Sequence, residues 1–318
     1  MRDVPRAPVT ADGPAFGTYG GRFEAVDLRL SERGVGWLRR LLSGKRWQWF
    51  AAFDDAVAVG GAVVDAGLVG NVFLWVIDRE SGELVADTDL VVPSPLVTVA
   101  RRPASGLVAR VDLPRRRLRI MRTDETVAVD ARFAGVDVAL AASTVDRQAV
   151  SAVCPVPGRA SGVNVTQKET CIPFEGHITV DRSYSIDGVG MLDYSRGLLA
   201  RETEWRWAIG SCRSAEGRPV GFNLVSGFND GLENAVWVNG EPETTGTATV
   251  EADGDAWHVW TDCGTVDATL TVEGIREADL DVGIIASEYA QPLGAWSGTV
   301  AGHRVEGVGV AERHRARW

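Results

Sequence analysis

Asn234-Ala235-Val236-Trp237-Val238 runs into Asn239-Gly240, Thr245 to Glu251 into Asp253-Gly254, Ala256 to Asp262 into Cys263-Gly264, and Val266 to Val272 into Glu273-Gly274. Each run is short and rich in β-branched or aromatic residues. Each closes on an x-Gly dipeptide, whose glycine supplies the positive φ of a tight hairpin. Successive hairpins of this kind make an antiparallel meander. The first half has the same grain: Val57 to Val64, Asn71 to Ile77, Leu84 to Thr88 and Leu118 to Met121 read as strands, with Ser81-Gly82 as a turn. Helical periodicity is scarce, and Gly36 to Leu42 is the best short candidate. The chain is therefore expected to be all-β with few short helices. Its 318 residues suit two domains, and closing a sheet into a barrel removes exposed edges, so two tandem antiparallel barrels packed together are expected.

An internal repeat supports that division. Lys45-Arg46-Trp47-Gln48-Trp49-Phe50 matches Thr203-Glu204-Trp205-Arg206-Trp207-Ala208. Each copy continues through a Gly-rich hairpin to an Asn and a third tryptophan: Gly67-Leu68-Val69-Gly70-Asn71 leads to Trp75, and Gly231-Leu232-Glu233-Asn234 leads to Trp237. The displacement is far longer than a solenoid repeat, which points to two similar domains. The stretch Cys154 to Lys168, rich in Pro, Gly and small polar residues, is the expected linker. Domains are accordingly expected at 1–160 and 161–318, the second carrying the site.

Composition excludes several classes of function. Net charge is −10; residues 1–160 carry 21 basic and 19 acidic side chains and residues 161–318 carry 12 and 24, so the second half repels nucleic acid and anionic membranes. Arginine supplies almost all the positive charge, Lys45 and Lys168 being the only lysines. In the one basic cluster, Arg117-Leu118-Arg119-Ile120 alternates charge with apolar residues, as a strand with its Arg face in water does, rather than gripping phosphate. Cys154, Cys171, Cys212 and Cys263 form no C-x-x-C pair and read as reduced, buried thiols. Met1 to Gly20 shows no apolar signal region, and no segment reaches the ~18 apolar residues of a spanning helix, so a cytoplasmic protein without integral membrane association is expected. There is no phosphate loop, nucleophile elbow or zinc helix, and Gly188-Val189-Gly190 lacks the third glycine of a dinucleotide fingerprint. His177, His258 and His303 show no ligand spacing, so neither metal nor cofactor is expected.

The 11 tryptophans, against 4 tyrosines, need a large core or a cavity to line. Residues two apart on a strand share a face, so Trp47 and Trp49 point one way together, as do Trp205 and Trp207. In a small barrel that face is expected to be inward. The first pair reads as packed core. Around the second pair crowd polar groups that are costly to bury: Asp193, Tyr194, Arg196, Arg201, Glu204, Asn223, Asn229, Asp230, Glu233 and Asn234. Asn229-Asp230-Gly231 also fits an ordinary turn. At the C-terminus, Val308, Val310, Glu312 and His314 share one strand face, and inward valines would bring Glu312 and His314 to the barrel mouth. Two titratable groups beside an aromatic cavity suit acid and base roles. The structural alternative is a charge pair closing the barrel end.

Lys45-Arg46-Trp47, Asp193-Tyr194-Ser195-Arg196-Gly197, Thr203-Glu204-Trp205-Arg206-Trp207, Gly221-Phe222-Asn223-Leu224, Glu233-Asn234-Ala235-Val236-Trp237 and the closing segment Gly309 to Trp318 carry a family resemblance. Together they make the chain resemble the bacterial domain-of-unknown-function family 2804, from roughly residue 20 to the end. That family name carries no activity. In broader outline the chain is similar to calycin-type proteins built from two lipocalin-like barrels, which include carotenoid 1,2-hydratase, tocopherol cyclase, AttH-like proteins and fungal Diels–Alderases. This likeness rests on architecture and Trp-rich strands. It implies a cavity for bulky apolar molecules and, in some members, addition or cyclisation without a cofactor. The expected function is thus cofactor-independent cyclisation, hydration or isomerisation of an isoprenoid or polyketide-like metabolite. Glu204, Asp193 or Glu312 would protonate or orient the substrate, and Tyr194 or His314 would assist. Trp205, Trp207 and Trp237 would shape the cavity, with Asn223, Arg196, Glu233 and Asn234 meeting the ligand. The alternative is a noncatalytic lipocalin-like binding protein for a hydrophobic small molecule. Oligomeric state is left open.

Overall fold

The strand-and-turn grain of the sequence resolves, among the described residues, into two large and mainly antiparallel sheets, a two-stranded ribbon near the N-terminus and one short α-helix. The computed structural model describes residues 1–33, 36–159, 162–281, 283 and 285–318; the side chains of Arg39 and Asp230 lie outside that description. Four short strands open the chain, Arg2–Asp3, Val9–Thr10, Gly13–Pro14 and Gly17–Gly20 (β1 to β4), followed by the helix Trp37–Ser43 (α1). A meander follows of β5 (Gly44–Phe53), β6 (Val57–Asp65), β7 (Val69–Asp78) and β8 (Leu84–Pro93). Then come β9 (Val97–Val99), β10 (Gly106–Leu113), β11 (Arg116–Arg122), β12 (Thr126–Phe133), β13 (Val136–Ser143), β14 (Val150–Pro155), β15 (Val163–Thr179) and β16 (Ser183–Leu198). A second meander comprises β17 (Glu202–Ser214), β18 (Pro219–Ser226), β19 (Ala235–Val238) and β20 (Glu241–Thr244). The last strands are β21 (Ala248–Asp253), β22 (Ala256–Thr261), β23 (Val266–Asp281), β24 (Ala286–Val300) and β25 (His303–Arg317).

The first sheet runs β8-β7-β6-β5-β16-β15-β13-β12-β11-β10-β9 as a nearly closed barrel, and the second runs β20-β19-β18-β17-β25-β24-β23-β22-β21 as a half-barrel. These are one path drawn twice. Each opens with a four-strand meander, and the meander's first strand, β5 or β17, pairs on its other side with the last strand of its own sheet, β16 or β25. The repeated W-x-W segments therefore sit on corresponding strands.

Several sequence expectations are corrected. The stretch Cys154 to Lys168 is no linker: Val150 to Pro155 pairs with Val163 to Lys168 as a hairpin, and its paired residues are buried apart from the half-buried Pro155. The chain leaves the first sheet only after Leu198, so β15 and β16 belong to the first barrel and the change of sheet falls near 199–201 rather than at 160. Likewise Glu273-Gly274 closes no hairpin. The register of β23 against β24 shifts between Val272 and Gly274, a bulge that bends the strand and carries Glu273 onto Arg79 of the first barrel, 2.7 Å away. The Arg117 and Arg119 face is solvated as read, with Leu118 and Ile120 buried beneath it. Cys154, Cys171 and Cys212 are buried as expected, but Cys263 is exposed.

Each sheet has its own core, and a third core lies between them. Phe50 and Ala52 of β5 join the first barrel's interior with Val59, Leu74 and Val129, and Ala208 of β17 joins the second's with Phe222 and Trp296. The alternate residues point the other way. Trp49, Ala51 and Phe53, with Trp205, Trp207 and Ile209, form the layer between the sheets. The W-x-W faces thus look outward from their barrels and toward each other, not inward as expected, because the two sheets cover one another's outer faces at these strands.

Candidate active site between the two barrels

A cavity of about 170 Å³ lies in that inter-sheet layer, with Trp47, Trp49, Trp205, Trp207, Phe228 and Trp318 in its walls. Trp47 stacks on Trp205, ring centroids 6.1 Å apart and planes at 11°, and Trp49 meets Trp207 edge-on at 5.1 Å. Each barrel also contributes a buried acid from its closing strand. Asp193 of β16 lies across from Trp49, and Glu312 of β25 lies across from Trp207 at the same rung of the repeat. The geometry is repeated in the contacts: Trp47 Nε1 donates to Asp193 Oδ2 at 2.9 Å, and Trp205 Nε1 donates to Glu312 Oε1 at 2.8 Å.

The next strand out distinguishes the halves. Lys168 of β15 pairs in register with Asp193, and its Nζ is 2.7 Å from Asp193 Oδ1 and 3.2 Å from Glu233 Oε2. At the corresponding place on β24 stands Gln291, whose Nε2 donates to Glu312 Oε2 at 2.8 Å. Burial opposes the charge on Lys168, but Asp193 and Glu233 outweigh it and hold its pKa above the ordinary value. Burial pushes the Asp193 carboxyl up, against the downward pull of Lys168. Glu312 has no such cation in contact. Burial lifts its pKa to about 7, with the hydrogen bonds from Trp205 and Gln291 only partly opposing. His314 lies edge-on to Trp205 at 4.3 Å, with Nδ1 3.9 Å from Glu312, and burial drops its pKa to about 3, leaving a neutral imidazole with Nε2 on Ser287 Oγ at 2.7 Å.

Of the residues singled out in the sequence, the cavity gathers Asp193, Trp205, Trp207, Glu233, Glu312 and His314. Others lie elsewhere. Glu204 faces solvent, because on β17 it alternates with the two tryptophans. Tyr194 and Arg196 alternate with Asp193 and so turn into the first barrel, donating to Ala100 O and Val99 O. Asn223 stands behind the wall, accepting from Trp207 Nε1 at 2.7 Å and donating to Glu233 O. Asn234 ties down the neighbouring backbone at Val225 N and Gly246 O. Trp237 packs on the first barrel with its Nε1 on Gln148 O. Asn229 does reach the cavity, whereas the Asp230 side chain lies outside the described residues. Trp47 and Trp49, read as core, are cavity walls. Sequence reasoning passed over Lys168, Tyr289 and Gln291. The one available signal was Lys168 itself, a lysine kept in a chain that otherwise uses arginine.

Among the described residues no group of three or more His, Cys, Asp or Glu is arranged to hold a metal ion, and no helix is long and apolar enough to cross a membrane. The family model described as a domain of unknown function, DUF2804, matches residues 15–318. The chain belongs to DUF2804. Among solved structures, the DUF2804 chain is similar to a kievitone hydratase from Nectria haematococca, at 13% identity and a TM-score of 0.55, over 86% of this chain and 89% of that one. It is also similar to a putative AttH from Nitrosomonas europaea, at 12% identity and a TM-score of 0.53, over 85% of this chain and 92% of that one. At such identities the likeness is one of fold, the lipocalin-like pair of barrels. No curated protein matches the DUF2804 chain.

Proposed function

We propose that this protein is an enzyme that hydrates, cyclises or isomerises a bulky apolar metabolite of isoprenoid or polyketide type by proton transfer from Glu312, without a cofactor. The observation that carries the reading is Glu312 itself: a buried carboxyl, titrating at about 7, at the wall of an aromatic cavity. An acid poised near the working pH is suited to give up and recover a proton. Transfer of that proton to an alkene or enol carbon would leave a cation facing the indoles of Trp205 and Trp47, each worth up to about 2 kcal/mol when desolvated. Water adding to the cation gives hydration, an internal double bond adding gives cyclisation, and loss of a neighbouring proton gives isomerisation. In each case the proton released returns to the Glu312 carboxylate. Of the acids weighed in the sequence, Glu204 is set aside as solvent-facing, and Asp193 with Lys168 and Glu233 serves as the fixed polar end of the cavity. The naming of one fold neighbour as a hydratase is in keeping with this chemistry.

The test is incubation of the protein, in heavy water, with the apolar metabolite fraction of its own host, read by mass spectrometry. A metabolite that gains one deuterium with the wild type, and at a rate about 10²–10⁴-fold lower with Glu312→Gln, is the expected result. A metabolite that co-purifies with both proteins yet is altered by neither would instead establish the noncatalytic carrier.

A further inference from the structure

Resting on the reading of this cavity as the substrate site, we infer that its ligand is an uncharged molecule presenting a neutral oxygen acceptor, such as a ketone, and that organic anions and cations are both turned away. The buried charged groups around the cavity are already matched. Lys168 is held by Asp193 and Glu233 and covers the Trp207 ring at 4.9 Å. Arg276 is held by Asp87 and Asp89, each at 2.9 Å, and covers the Phe73 ring at 4.4 Å. Each cation is already paired with two carboxylates, and His314 is kept neutral. The carboxylates are equally occupied. Glu233 also takes Thr166 and Asn229, Glu312 takes Trp205 and Gln291, and Asp279 stands exposed at the rim. A ligand ammonium would have to displace one of these pairs.

What is unmatched in the cavity wall is a pair of donors. Trp49 Nε1 and the Tyr289 hydroxyl are buried and, among the described residues, have no hydrogen-bond partner of ordinary geometry. A buried donor without an acceptor costs ~1–3 kcal/mol, and a ligand oxygen would recover it. Tyr289 stands two residues from Gln291, on the same face, and beside Glu312. An oxygen bound there lies at the acidic end of the cavity.

Titration calorimetry with four naphthalenes of matched size tests this: acetonaphthone, naphthoate, naphthylmethylammonium and ethylnaphthalene. Acetonaphthone is expected to bind about tenfold more tightly than each of the others, one hydrogen bond's difference. Tyr289→Phe and Trp49→Phe should each shrink its advantage over ethylnaphthalene while leaving ethylnaphthalene binding within about threefold. If Trp49→Phe does not fold, the wild-type ranking and Tyr289→Phe decide. Naphthoate or naphthylmethylammonium binding as tightly as acetonaphthone, or no naphthalene binding at all, overturns the inference. The ranking is read at equilibrium, so it stands or falls separately from deuterium uptake: a carrier with this preference would refute the catalytic reading and leave the ligand class intact.

Discussion

In the first barrel a buried carboxyl, Asp193, has a lysine for its neighbour; at the matching rung of the second, Glu312 has an amide. The two positions share strand order, the W-x-W partner and the indole N–H donated to the acid. Burial pushes both carboxyls up, but only Asp193 has a contacting cation that pulls it back toward the ionised form. One repeated framework has thereby produced two carboxyls of different chemistry facing a single cavity, and one strand position, occupied by Lys168 or Gln291, separates them.

The largest effect is expected where that difference is erased from the charged side. Lys168→Gln leaves Asp193 and Glu233 buried without their cation and should destabilise the protein by about 3–5 kcal/mol, measured by urea unfolding. Next comes the pH dependence of stability. Glu312 titrates at about 7 when folded against 4.5 ordinarily, so between those values the folded chain keeps a proton the unfolded chain releases, and stability falls as pH rises. His314 titrates at about 3 against 6.5, so in its window the unfolded chain takes up a proton the folded chain refuses, and stability falls as pH drops. The two slopes, ~1.4 kcal/mol per pH unit each, cancel where the windows overlap. Subtracting the wild-type curve, Glu312→Gln should gain stability with rising pH and His314→Asn should lose it. Parallel curves would mean that neither group is buried in the state assigned. Gln291→Lys, which copies the first barrel into the second, should lower the Glu312 midpoint by about 1–3 pH units, seen as loss of its stability slope. The smallest effect is expected from Trp47→Phe and Trp205→Phe, about 1 kcal/mol each, with only the latter moving the Glu312 midpoint, upward.

The strands, the repeat and the placing of Glu312 and His314 together beside an aromatic cavity were legible in the sequence, because period-two alternation and x-Gly turns are local. The side on which the tryptophans emerge was not. Alternation tells which residues share a face, but the partner sheet decides whether that face is barrel interior or interface. The hairpin joining β14 to β15 looked like a linker, since the loop between them is rich in Pro and Gly while the other partner of β14, β4, is far away in sequence. Gln291 was invisible for the same reason: its equivalence to Lys168 exists only in the register of β24 against β25 and of β15 against β16.

The most direct test is isotope-edited infrared titration of the Glu312 carboxyl, assigned by difference against Glu312→Gln. A protonated carboxyl signal that persists to near neutrality and titrates with a midpoint of about 7 is the expected result. A Glu312 already ionised at pH 5 would contradict the division of roles between the two barrels.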